Sequence, residues 1–147
     1  MVADIEYPLL EFCPNGRFMW VVKSAEKFGE CGRSTLKKRY FEGMSLVDSN
    51  GLIREIEGVC RVEIANPWWK WPVEILMFNS RVLRAAFQLS DPEHIPLDAF
   101  KKKVITYIDY QKGMWESGIG VEEIKEEVRK AKTHREVIEV IYGDKIA

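Results

Sequence analysis

The sequence predicts an α+β fold: a single antiparallel sheet of about five to seven strands flanked by three or four helices, mainly C-terminal. Three observations predict it. Two turn signals, Pro14-Asn15-Gly16 and Asn50-Gly51, each sit between short apolar runs; the apolar period lengthens from two to 3.6 near Asp91; and neither a repeat nor a linker interrupts the 147 residues. Strands gathered ahead of helices indicate segregated elements rather than βαβ units. One domain is expected, strand-rich over 1–90 and helix-rich over 91–147.

Glu6 to Phe12 and Arg17 to Lys23 should form a hairpin around Cys13-Pro14-Asn15-Gly16. Ser34 can cap a short helix from Thr35 to Phe41 that Gly43 ends. Met44 to Val47 should pair antiparallel with Leu52 to Ile56, because Asn-Gly accepts the positive φ of a tight turn. Val59 to Ile64 alternates with Arg61 and Glu63 outward, and Val73 to Phe78 and Val82 to Leu89 are further strands. Behind Pro96, the residues Leu97, Phe100, Val104 and Ile108 mark a helix to about Gln111. Val121, Ile124, Val128 and Ala131 stripe a second helix, with Glu126 and Lys130 four apart. Thr133 and Glu136 match a capping box before Val137, Ile138, Val140 and Ile141, and Gly143 is the stop.

Apolar residues make up 46% and charged residues 31% of the chain, which supplies a core and a solvated surface and excludes a disordered chain. With 22 Lys and Arg against 23 Asp and Glu, the net charge of −1 gives no field that would steer the whole molecule to nucleic acid or anionic lipid. Cys13, Cys31 and Cys60 are odd in number and form no C-x-x-C pair, so small, partly buried thiols are expected rather than a disulfide scaffold or zinc site. Met1 to Pro8 carries Asp4 and Glu6 and lacks a basic n-region with an apolar run, and no apolar stretch reaches a membrane span. A cytoplasmic protein with no membrane association is the reading.

Nucleophile elbows, zinc-protease motifs, phosphate loops and dinucleotide fingerprints are all missing from the sequence, and Gly29-Glu30-Cys31-Gly32-Arg33-Ser34 reads as a flexible connection. His94 and His134 lie in unlike neighbourhoods, a loop and a helix start, and are read as solvated polar residues. No catalytic residue, metal ligand or cofactor site is therefore assigned, and the chain is read as no enzyme. Trp68, Trp69, Lys70 and Trp71, between Pro67 and Pro72, are the candidate partner-binding residues: three indoles in an irregular segment cannot all point inward. The alternative is a satellite core cluster. Arg33, Lys37, Lys38 and Arg39 form a candidate basic patch, and Lys101, Lys102 and Lys103 a second run; such short runs are more often the solvated face of a helix.

The stretch Gly43-Met44-Ser45-Leu46-Val47-Asp48-Ser49-Asn50-Gly51, with the order hairpin, strands, Leu97-Asp98-Ala99-Phe100-Lys101 helix and short C-terminal helices, resembles the small cytoplasmic immunity proteins of bacterial polymorphic-toxin and contact-dependent inhibition systems. The resemblance implies a non-catalytic inhibitor, without cofactor, that binds and neutralises one cognate toxin domain. It transfers no binding residues. Immunity proteins against nucleases are often strongly acidic, and the near-neutral charge here departs from that pattern. The alternatives are an RNA- or nucleic-acid-associated protein using the basic run 33–39 and the Trp-rich loop 66–72, and, third, a small enzyme of unrecognised type.

Overall fold

A computed structural model describes residues 4–14, 18–31, 41–64, 83–115 and 120–142. Seven strands form one curled antiparallel sheet: β1 (Leu9–Phe12), β2 (Met19–Val22), β3 (Glu30–Cys31), β4 (Ser45–Asp48), β5 (Leu52–Ile64), β6 (Leu83–Leu89) and β7 (Glu93–His94). The order is β2-β1-β4-β5-β6-β3, with β7 also on β5. Among the described residues four helices follow: α1 (Leu97–Tyr110), the single turn α2 (Lys112–Trp115), α3 (Val121–Lys130) and α4 (His134–Tyr142). The expected α+β class is the observed one. Among the described residues no helix is long and apolar enough to cross a membrane.

Both expected hairpins form. Leu9 pairs with Val22 and Phe12 with Met19 in the first; Ser45 pairs with Glu55 and Val47 with Ile53 in the second. The second turn closes through the Gly51 N–H on the Asp48 carbonyl (3.0 Å), with Gly51 at φ +81°. Asp48 locks it, its Oδ1 accepting the N–H groups of Asn50 (2.9 Å) and Leu52 (3.1 Å). A side chain at Gly51 is excluded twice over, because a Cβ there would lie 2.7 Å from the His134 ring.

Three expectations need correction. Val59 to Ile64 is no separate strand but the second half of the 13-residue β5, whose first half pairs with β4 and β7 and whose second half pairs with β6. Register shifts at Ile56/Gly58 and Val59/Arg61 bend it, which curls the sheet. The stretch from Gly29 to Ser34, so far as it is described, is no flexible connection: Glu30 and Cys31 pair with Arg84 and Leu83, and only glycine fits at 29, where a Cβ would fall 2.1 Å from the Ala85 carbonyl oxygen, while 32–34 lie outside the described residues. On α3 the ion pairs run at three-residue spacing, Glu126–Arg129 (3.3 Å) and Glu127–Lys130 (3.7 Å), rather than from Glu126 to Lys130. The expected helix from Thr35 to Phe41, apart from Phe41 itself, which lies in a turn, the expected strand from Val73 to Phe78 and the stop at Gly143 fall outside the described residues.

The helices cover one face of the sheet. Phe100, Val104 and Ile108 of α1, Val121, Ile124 and Val128 of α3, and Val137, Ile138 and Val140 of α4 bury against Leu10, Phe12, Met19 and Val47. The apolar stripes read from the sequence are thus the packed ones. Half of the capping box forms as expected, with the Glu136 N–H on Thr133 Oγ1 (3.1 Å); the Glu136 carboxylate takes the N–H of Lys132 (2.7 Å) instead of that of Thr133. Lys125 lies buried between α1 and α3, paired with Asp109 and with Glu122 (3.7 Å), and this contact holds the Asp109 carboxyl below its usual range.

Candidate functional site

The opposite, concave face is chemically different. Strand alternation turns Leu9 and Glu11 of β1 toward it, and register aligns them with Val22 and Trp20 on β2 and with Asp48 and Leu46 on β4. Leu46 is in turn aligned with Arg54 on β5. Leu9, Val22, Phe41, Met44, Leu46 and Ile56 form its core, with Tyr7, Phe28, Cys31, Phe87 and Leu89 packed around them. Phe28 and Phe41 each meet the Phe87 ring, at centroid distances of 5.2 and 4.7 Å.

Within this apolar layer lie three buried charged groups. Arg54 Nη1 meets Asp48 Oδ2 at 3.3 Å, and Arg54 Nη2 donates to the Asp4 carbonyl (3.1 Å), tying the segment before β1 to the β4–β5 hairpin. Ser49 Oγ donates to the Pro8 carbonyl (2.6 Å) in the same tie. Glu11, only 1% exposed, has no ion pair among the described residues. Burial pushes its carboxyl up to about 7, and a hydrogen bond from the Trp20 indole N–H pulls partly the other way. The Tyr7 phenol is raised as well, first by burial and then by the Glu11 charge.

Of the five large apolar side chains exposed among the described residues, four belong to this face: Phe18 (50%), Trp20 (40%), Val59 (41%) and Val62 (45%). Phe18, two residues before Trp20, extends β2 by accepting the N–H of Cys13 (2.8 Å). Val59 and Val62 align with Phe87 and Ala85 of β6. Such a concentration is unlike the single scattered apolar residues of an ordinary surface.

No family model, curated protein or solved structure matches this chain. Its reading therefore rests on the geometry alone.

The structure treats the sequence-derived candidates unevenly. Trp68, Trp69, Lys70 and Trp71, and Arg33, Lys37, Lys38 and Arg39, lie outside the described residues. Lys101, Lys102 and Lys103 diverge: Lys101 donates to the Arg129 carbonyl at the end of α3 (2.8 Å), Lys103 lies over the Phe12 ring (5.0 Å), and Lys102 is exposed. Burial lowers the Lys103 ammonium pKa despite the nearby Glu55 charge. Of the three thiols, Cys13 and Cys31 are partly buried as expected, but Cys60 is exposed on the far half of β5.

His94 is exposed as expected, but His134 is half-buried and the two histidines are not separate. Their ring centroids are 5.8 Å apart, because β7 returns beside the Gly51 turn on which α4 begins. His134 stacks on Phe100 (5.4 Å), and its Nε2 lies 2.8 Å from the Ile95 carbonyl. That role is structural, a clamp between α1 and α4. Among the described residues no group of three His, Cys, Asp or Glu side chains could hold a metal ion. An open cleft of about 280 Å³ lies between Pro8, Lys23, Arg135, Glu139 and Tyr142; Arg135 there is held by Glu6 (3.0 Å), and Lys23 lies over the Tyr142 ring (4.0 Å).

Sequence reasoning missed Glu11, Trp20 and Phe18. A signal was present: Leu9, Leu10 and Phe12 are apolar on both alternations, the mark of a strand covered on both faces, so the intervening Glu11 had to be buried.

Proposed function

We propose that the chain is a non-catalytic protein-binding module, an immunity-type inhibitor that docks a cognate bacterial toxin domain on the concave face of its sheet. The observation that carries this reading is the exposure of Phe18, Trp20, Val59 and Val62 on one face. All four are uncharged, and the whole chain carries a net charge of only −1, so the partner that fits is a domain with an apolar contact patch rather than a basic nuclease surface or a phosphate backbone. Aromatic residues at such a face serve as anchors whose truncation removes a large share of the binding energy.

The test is co-purification with the product of the gene immediately upstream, which this reading expects to carry a toxin domain, followed by titration calorimetry. Phe18→Ala should weaken binding by about 2 kcal/mol, roughly thirtyfold, and affinity should survive moderate salt. Unchanged affinity in both Phe18→Ala and Val62→Ala sinks the reading. A steep loss of binding with salt transfers the case to a nucleic-acid partner.

A further inference from the structure

Asp48 and Glu11 are buried on the same face, and only one of them is neutralised. Asp48 is met by Arg54 and by the N–H groups of Glu6, Asn50 and Leu52. Glu11 stands directly across from Trp20 in the β1–β2 pairing, where the indole N–H favours its charged form, and has, among the described residues, no cation. A carboxyl sealed in an apolar layer without a counter-ion strongly disfavours its charged form. Trp20, its cross-strand neighbour, is itself one of the four exposed residues of the docking face. The buried acid and the surface anchor are therefore one unit.

The other titratable and charged groups on this face leave Glu11 to act alone. Tyr7, from the segment before β1, faces it with a buried hydroxyl that finds no hydrogen-bond partner among the described residues. The Cys31 thiol of β3 belongs to the same cluster and is raised by burial. Arg54 of β5, aligned with Glu11 through Leu46, is committed to Asp48 and to the Asp4 carbonyl. The flanking Leu10 and Phe12 turn to the helices.

We propose that a single proton on Glu11 regulates the docking face: the ionised carboxylate grips the Trp20 N–H and fixes the exposed indole, whereas the neutral acid holds it weakly and lets the ring turn. A charge-assisted hydrogen bond is about twice as strong as a neutral one, so ionisation stiffens the anchor before a partner arrives. Less side-chain freedom is then lost on docking, and affinity rises with pH. This regulation rests on the reading of the concave face as the docking surface.

Two measurements test it. In the free protein, with isotope-labelled Glu and Trp, the Glu11 carboxyl carbon and the Trp20 indole N–H should titrate together with a shared midpoint near 7. Glu11→Gln should flatten the indole response, and Trp20→Phe, which removes the donor, should raise the Glu11 midpoint. An indole indifferent to pH from about 5 to 9, or a Glu11 midpoint in the ordinary carboxylate range near about 4, overturns the proposal. With the toxin domain bound, affinity should be roughly threefold to tenfold higher at pH 8 than at pH 6 for the native chain and level for Glu11→Gln. A flat profile in the native chain also overturns the proposal. Failure of Phe18→Ala to weaken binding strikes the docking reading instead and leaves the free-protein titration untouched.

Discussion

Neighbouring residues of β1 divide between two environments. Leu10 and Phe12 turn to a layer closed by three helices, where the buried charge, Lys125, sits between α1 and α3 paired with Asp109, whereas Leu9 and Glu11 turn to a face that also buries Asp48 and Arg54 and leaves Phe18 and Trp20 in solvent. Buried charge is costly, and exposed aromatic surface gains nothing for folding. A sheet whose strands themselves put both on one side and, among the described residues, neither on the other has divided its labour. The helix face supplies stability, and the concave face keeps features that folding alone does not require.

The sharpest way to break this comparison is to hollow the helix face. Phe100 is fully buried against Phe12, at a ring distance of 6.2 Å, so Phe100→Ala should cost about 4 kcal/mol in urea unfolding. A loss under about 1 kcal/mol would show that this layer is not the stabilising one. On the concave face, Arg54→Ala leaves Asp48 without its cation and should cost about 3 to 4 kcal/mol by the same assay, with Arg54→Met closer to neutral.

Next in size is a pH effect special to that face. The folded-state value for Glu11 is raised from 4.5 to about 7, so the folded chain holds the proton where the unfolded chain has released it. Its contribution is fully present below about pH 4.5 and is lost as pH rises toward about 7, a fall of about 3 kcal/mol that Glu11→Gln should abolish. Asp109, held low by Lys125, acts in a separate window: its contribution is lost only as pH falls below the ordinary carboxylate range, so the two separate in stability curves measured from about pH 3 to 8. The smallest expected effect completes the contrast. Phe18→Ala should change stability by about 0.5 kcal/mol or less, and a loss as large as that for Phe100 would make Phe18 core rather than surface.

Much of the fold was legible because its signals are local. Asn50-Gly51 announces its turn, and the stripe of Val121, Ile124 and Val128 fixes which side of α3 is buried. The site was less legible because it is assembled from distant pieces. The apolar residues around Glu11 mark its strand as covered on both faces, but what covers it, the segment at 4–7 with β3 and β6, comes from distant parts of the chain. The meeting of His94 with His134 likewise depends on β7 pairing with β5, a contact no local pattern signals. Tryptophan-rich composition drew attention to 68–71, whereas Trp20, unremarkable in sequence, is the exposed indole among the described residues.

The length of β5 has a kinetic consequence. Its first half meets β4 across a turn of only three residues, 49–51, whereas its second half must wait for β6, which lies beyond residues 65–82. Closing the longer span of chain costs about 1.5 kcal/mol more entropy, so the β4–β5 hairpin should form early and the β5–β6 ladder late. One continuous strand then carries both the nucleus and the last region to zip. Val59 and Val62 lie on the late half, and in the nascent chain that half of the exposed apolar face is completed only after the early hairpin has set.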